Sequence, residues 1–423
     1  MGERRASAIT RDRHRDSYDD GSTRRRVRAT VTILRAQTLH LRTPLALGYG
    51  HQHARFVHAS SMILIVEDEH GNRGIGEAQP RPWVSGETTD EVFGELVTRQ
   101  HTLLGRELDT LDDVRGIVDS LAFTLSTRSG RQHIATLTAF DTALLDLVGK
   151  RQGCSVASLL GWPDSGEFVP LLPVGQVDDD TLAQVIAWGR AQGVRDAKLR
   201  VSNDLTEIAA RVELLRRELG ELRFGVDAGG TWTREILLSF APRLLDMGVT
   251  YVEQPLPSGR EAELAELRKQ LPAALTLVLD ESVCTLDEAR NVVALDVCDH
   301  VALKVGKQGG LLRAGAIADY LLGCNKQVLI STHVGESALL ERAGLLLARH
   351  VACPGGGTPN PRQPWNLELG YSGVLLAEQA LVADASEPGL GVRIDEAVLA
   401  RYTLRRGVAE SSLTLMLDPN DLD

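Results

Sequence analysis

Four short apolar runs between Phe224 and Gly310 constrain the fold of this chain more than any other stretch. They read FGVDAGG, YVEQPLP, LVLDESVC and HVALKVGKQGG, and each reaches a charged residue as Gly, Pro or Ser break the run. The charged residues are Asp227, Glu253, Asp280 and Lys304, spaced by 26, 27 and 24 residues. Helical patterns such as Arg234–Leu245 and Glu261–Gln270 fill the gaps. A strand, a turn and a helix repeating at that pitch make successive βα units, and buried parallel strands read as near-continuous apolar runs. Charges repeated at the C-terminal ends of such strands converge at the top of a (β/α) barrel, where barrel active sites sit. Three carboxylates aimed at one point suit a hard cation, and a lysine beside them offers a base.

Length and charge narrow the class. A chain of 423 residues is long enough for about two domains, one of them a large barrel. The net charge of −11 argues against nucleic acid as the main partner, because phosphate binding needs a basic surface. Cys154, Cys284, Cys298, Cys324 and Cys353 are odd in number and never spaced C-x-x-C. Neither a disulfide framework nor a zinc site is indicated, so a reducing, cytoplasmic location is expected. No apolar run approaches the roughly 20 residues of a membrane span, and no signal peptide or membrane partner is expected.

In chain order, residues 1–28 are rich in Arg, Asp and Ser with almost nothing apolar, and are expected to form a disordered, solvated tail. Residues 29–165 open with strand-like TVTILRAQTLHL and SSMILIVED, a hairpin turn at EHGNRG, and GIGEA. Helical patterns follow near Thr89–Arg99, Leu111–Leu121 and His133–Lys150, the last long and amphipathic. Strands followed by helices suggest an α+β domain apart from the repeating units. Two stretches in it are expected to be loops, Pro44–His53 and Pro80–Glu87. Their aromatic, His and Arg residues either reach over a neighbouring site and select substrate, around Tyr49–His53 and Arg81–Trp83, or form surface turns.

The barrel is expected over 166–355, beginning near Phe168, with a helix at Thr181–Gln192 and a second strand at DAKLRVS. Lys198 and Arg200 on that strand share a face, because strand side chains alternate. Two cations on a buried face need an anionic ligand or acidic partners. They either bridge to Asp227 and its neighbours or serve catalysis. The 27-residue step from Arg200 to Asp227 continues the repeat and favours the second reading.

Together KLR, GVDAGG, YVEQPL, LDES and LKVGKQGG resemble the enolase superfamily, in its mandelate racemase/muconate cycloisomerase family. The likeness is to the group of muconate lactonising enzymes, o-succinylbenzoate synthases and dipeptide epimerases. GIGEAQPRPWVSGET resembles the capping-domain signature, FDTALLDLVGKRQG the helix leading into the barrel, and PGLGVRID the closing segment. The resemblance implies a (β/α)7β barrel with an α+β capping domain built from both chain ends, the segment 356–423 returning to the cap. It implies Mg2+, with Mn2+ as a substitute, a small-molecule carboxylate substrate and a homo-oligomer. It also implies an enediolate formed by α-proton abstraction.

Carried over by position, Asp227, Glu253 and Asp280 are the implied metal ligands and Lys304 the implied acid/base at the end of strand six. Lys198 matches the first lysine of a Lys-x-Lys pair that binds substrate carboxylate. Glu336 falls near a seventh-strand acidic position, where it polarises a lysine or donates to the intermediate. Glu281 is expected to turn away and brace the barrel, and Lys307 to be a surface charge. Arg362 and Trp365, in a Gly/Pro-rich connection, either touch substrate or belong to a structured loop, the favoured reading.

Arg200 departs from the pattern, which has a second lysine there. A free base at pH 7 costs about 4.6 kcal/mol for lysine but on the order of 9 kcal/mol for arginine. Arg200 is therefore expected to be a fixed cation, a bidentate carboxylate clamp, with Lys304 the principal base and Lys198 in reserve. One good base confines chemistry to one face. That places a cycloisomerase-type isomerase first, a lyase (dehydratase or other β-elimination) second and a non-catalytic ligand-binding relative third. His333, at the end of strand seven, resembles the histidine of the dehydratase branch, but no partner Asp stands near Val301, Leu303 or Val305. It is a leaving-group acid or a polar residue satisfied at the rim.

Overall fold

Apolar, β-branched sequence makes a long antiparallel ribbon at the start of the fold, β1 (Ile33–His51) against β2 (Ala54–Asp68), followed by β3 (Arg73–Ala78). The computed structural model describes residues 31–51, 54–124, 133–163, 171–352, 378, 380–384 and 386–411. The expected tail at 1–28, the strand start at Phe168, and Arg362 and Trp365 lie outside them. Asp68 shapes the β2–β3 turn by accepting the backbone N–H of His70 and of Asn72, both at 2.9 Å. The stretch from Pro44 to His51 was expected to be a loop, and here it continues β1. β2 runs alongside as far as the His51–Ala54 pair, and pairing resumes at Tyr49 after a register shift between Pro44 and Tyr49.

Helix α1 (Thr89–Arg99) opens at a Thr88–Glu91 capping box. It is followed by α2 (Leu111–Thr124), α3 (Ile134–Gln152) and the short α4 (Val156–Leu160). The pattern of α3 predicts a long amphipathic helix. Instead every residue from Ile134 to Gly149 is buried, because the helix lies between β3 and the segment after Lys304. Its two aspartates accept from backbone of other elements. Asp146 accepts from Ile75 and Leu390 N–H, and Asp141 from Leu311 and Leu312 N–H.

Seven βα units follow. The strands are β4 (Leu171–Val174), β5 (Asp196–Arg200), β6 (Arg223–Asp227), β7 (Val249–Glu253), β8 (Thr276–Leu279), β9 (His300–Leu303) and β10 (Gln327–Ile330). Between and after them run α5 (Asp179–Gln192), α6 (Leu205–Leu219), α7 (Arg234–Asp246), α8 (Glu261–Arg268) and α9 (Leu286–Ala294). The one-turn α10 (Val305–Gln308), α11 (Leu311–Gly323) and α12 (Ala338–Ala352) complete the series. The strands pair in sequence order, all parallel, in one curled sheet. The eighth barrel strand implied by the resemblance, after α12, lies outside the described residues. Beyond it come β11 (Leu381–Ala383), β12 (Val392–Ile394), α13 (Glu396–Tyr402) and β13 (Thr403–Glu410). β13 pairs antiparallel with β1 and gives the first sheet the order β13-β1-β2-β3. Among the described residues no helix is long and apolar enough to cross a membrane.

Strand alternation sorts the sheet interior into layers. Tyr251, Val278, Ala302 and Leu329 pack together, each two residues before Glu253, Asp280, Lys304 and Ser331. A plug of side chains thus lies beneath a charged layer. The Tyr251 ring reaches across Gly225, where a Cβ would stand 1.9 Å from the ring Cζ. Only glycine leaves that space. Gly225→Ala is expected to lower stability to urea by on the order of 2–3 kcal/mol. Shortening the ring with Tyr251→Leu in the same background should recover part of it, and an unchanged unfolding midpoint in the single variant would refute the packing argument.

Candidate active site

The three acidic residues end neighbouring strands. Asp227 and Glu253 close β6 and β7 and are Cα partners in the ladder, while Asp280 stands one residue beyond β8. One carboxylate oxygen from each lies within 4.8 Å of the others, and all three residues are fully buried. Oxygen-only donors carrying three negative charges in a dry site fit a hard divalent cation, and the donor set excludes a preference for soft metals.

Four cations surround this trio. Lys198 Nζ lies 2.9 Å from both oxygens of Glu253 and 3.6 Å from Asp227 Oδ2. The Arg200 guanidinium pairs with Asp227 Oδ2, so the bridging contact left open from sequence is present. Lys304, one residue beyond β9, pairs with Asp280 Oδ2. Lys307, expected at the surface, is buried and donates to Asp280 Oδ1 at 2.7 Å. The reason is local: α10 is a single turn that folds its lysine back under the strand ends.

These pairings set the protonation states. Burial alone would raise the Asp227 carboxyl, but Arg200 and Lys198 overcome it and hold it at about 2. Asp280 is likewise raised by burial and then pulled well below its ordinary range by Lys304, Lys307 and Lys198. For Lys304 the same opposition is resolved upward. Burial lowers its pKa, and Arg200 and Lys198 also lower it, yet Asp280 and Glu281 outweigh them and the net shift is upward.

Glu281 also corrects an expectation. It does not turn away from the site. Burial first, then Asp280 and Asp227, raise its carboxyl to about 7, so it stands in the field of the trio. Alternation fails as a guide because β8 stops at Leu279 and a turn begins, with Val283 N–H donating to Asp280 O at 3.1 Å.

The loop after β10 brings His333 and Glu336 to the same mouth. His333 Nδ1 is 3.3 Å from Glu336 Oε1, and both face Gly306, two residues past Lys304. Burial, Lys304 and Arg81 hold His333 well below its usual value, so it is a neutral imidazole. Glu77 in the first sheet and Arg81 in the turn after it support this loop, and neither was singled out as an anchor for it. Glu77 on β3 accepts from Ser61 Oγ at 2.8 Å and Ser337 Oγ at 2.5 Å. Arg81 donates to Val334 O at 2.6 Å, with its guanidinium over the rings of Phe56 and Trp83. A lone acid in the buried run GIGEA was the available signal for Glu77, since such a group must find donors.

Glu336 allows a test of these environments. Burial, then Glu77, pushes its carboxyl from an ordinary 4.5 to about 8. The folded protein holds a proton that the unfolded chain releases. That stabilisation is fully present below pH 4.5 and is lost as pH rises through about 8. The stability excess of wild type over Glu336→Gln should therefore shrink by roughly 2–4 kcal/mol between about pH 5 and pH 8. Urea unfolding at fixed pH measures it, and a difference that stays flat refutes the assignment.

Comparison with known proteins agrees with this geometry. Residues 29–161 match the mandelate racemase / muconate lactonizing enzyme N-terminal domain, and residues 180–398 match the enolase C-terminal domain-like family. The N-succinyl-L-Arg/Lys racemase of Bacillus cereus is 24% identical over 382 residues, covering 89% of this chain and 98% of that protein. Muconate cycloisomerase 1 of Rhodococcus opacus is 25% identical over 391 residues, covering 88% and 99%. The solved dipeptide epimerase of Cytophaga hutchinsonii, complexed with Mg and the dipeptide D-Ala-L-Val, superposes with a TM-score of 0.74 at 18% identity, covering 89% and 99%. With both family models matched in order and the acidic trio at the strand ends, the chain belongs to the mandelate racemase/muconate lactonizing enzyme family of the enolase superfamily.

Proposed function

We propose that the protein is a Mg2+-dependent enzyme that removes the α-proton of a small carboxylate, with Lys304 as principal base and a cycloisomerase-type isomerisation as the outcome. The observation that carries this is the unequal placement of the cations. Lys304 is an amine at the edge of the trio, whereas Arg200, at the position of the family's second lysine, is a guanidinium paired with Asp227.

Asp227, Glu253 and Asp280 would hold the ion. When bound, Mg2+ supplies positive charge against the developing enediolate and shares the charge of Asp280 that otherwise keeps the proton on Lys304. Lys304 then takes the substrate proton on one face and returns it to the same face or to the isomerised product. Arg200 and Lys198 keep the mouth positive and attract the substrate carboxylate, Arg200 as a planar donor that stays charged.

A lyase is the second reading, and His333 favours it. A neutral imidazole next to a carboxyl protonated at neutral pH can pass a proton to a leaving group, which β-elimination requires.

The test is incubation with Mg2+ in D2O and a panel of carboxylates chosen from the relatives' names: N-succinyl amino acids, dipeptides and muconate. Deuterium should enter the α-position with retained configuration, and Lys304→Met should slow exchange at least about 1,000-fold. Loss of water or ammonia selects the lyase. Tight binding without exchange refutes both readings and marks a binding protein. Arg200→Lys should add racemisation that wild type does not show, read by chiral chromatography.

A further inference from the structure

Lys307 takes no part in the reading above, yet it is among the most deeply placed charges in the fold. Its side chain has no exposed surface. Nζ is 2.7 Å from Asp280 Oδ1, 2.5 Å from Asp280 O and 2.8 Å from Ala302 O. An ammonium has three N–H donors, and here each has one acceptor. Two of those acceptors are backbone carbonyls at the ends of adjacent staves, so the group has nowhere to swing.

The turn that carries it is held as firmly. Gln308 Oε1 accepts the Lys304 backbone N–H at 2.7 Å, and Gln308 Nε2 donates to Val283 O at 2.9 Å. Thr138 of α3 reaches Gly306 O at 3.3 Å from the other side. Lys304 and Lys307 thus occupy the two oxygens of one carboxylate with different freedom. Lys304 leaves a carboxylate oxygen when it moves, whereas Lys307 would have to abandon two main-chain carbonyls as well.

We propose that Lys307 is a fixed counter-charge that lowers the affinity of the Asp227–Glu253–Asp280 trio for divalent cations, so that the site exchanges its ion instead of sequestering it. The reason is Coulombic. A permanent positive charge hydrogen-bonded to one of the three ligand residues repels a dication held by the same residue, and in a dry interior neither solvent nor salt relieves the repulsion. Lys307 is a positioning residue in this sense: it acts through Asp280 and touches no substrate. The inference rests on the trio as a metal site and not on the reaction, so a failed D2O exchange leaves it standing.

The sign of one measurement decides it. Mn2+ is titrated into protein stripped with EDTA, without substrate, and free Mn2+ is read by its electron paramagnetic resonance signal. Lys307→Met keeps the length and removes the charge. Its Kd should fall at least tenfold, and the ratio to wild type should hold between about 0.05 and 0.5 M KCl because a buried charge is poorly screened. A merely structural role predicts the opposite, since a loosened Asp280 binds more weakly. An unchanged or higher Kd overturns the proposal. If circular dichroism shows that Lys307→Met does not fold, Lys307→Gln, which keeps amide donors for the carbonyls, is titrated in the same way. Failure of both to fold assigns Lys307 to folding alone and also overturns it.

Discussion

Charge balance in a volume closed to water governs this structure. Asp227, Glu253, Asp280 and Glu281 lie buried with Lys198, Arg200, Lys304 and Lys307 at the ends of five adjacent strands. An isolated charge could not be kept there, because burial without a partner costs far more than a domain's net stability. The groups are tolerable only as a set, each held by the next across the sheet. Burial drives Asp227 and Asp280 toward the neutral form and their cations drive them back, and the cations win. The site is therefore pre-charged by the fold, which is the arrangement that electrostatic catalysis needs.

The first sheet takes part in this balance without contributing a charge to the trio. Glu77 and Arg81 fix the loop bearing His333 and Glu336, and Thr138 and Asp141 on α3 fix the segment bearing Lys304 and the start of α11. Each of these is a side chain satisfying backbone from the other layer. The geometry at the barrel mouth is thus set from two sides, by strand register below and by hydrogen bonds from the first sheet and α3 above.

What was legible in the sequence was whatever a strand dictates. The runs ending in Asp227, Glu253, Asp280 and Lys304 announced both the barrel and the convergence of the acids, because period-two alternation and a buried face leave one place for each charge. What failed began where strands stop. Glu281 was misread because β8 ends at Leu279, and Lys307 because a single turn of helix reverses direction. In helix α3 the polar Asp141, Asp146 and Thr138 imitate a solvent face while they bond backbone of other elements. The stretch after Pro44 reads as a loop from its Gly and Pro content, and pairing with β2 overrides that local preference. Tertiary partners far along the chain carry no local signal.

The burial of α3 from Ile134 to Gly149 has a consequence for how such proteins can be recombined. Its side chains are divided between β3 on one flank and the Lys304 segment on the other. It is therefore neither a lid part nor a stave part but a shared keel. A chimera between relatives must therefore break one flank of the keel: a cut at the seam before Ile134 separates it from β3. A cut after Gly153, the left-handed residue that ends the helix, keeps β3 and the keel together and moves the mismatch to the Lys304 segment.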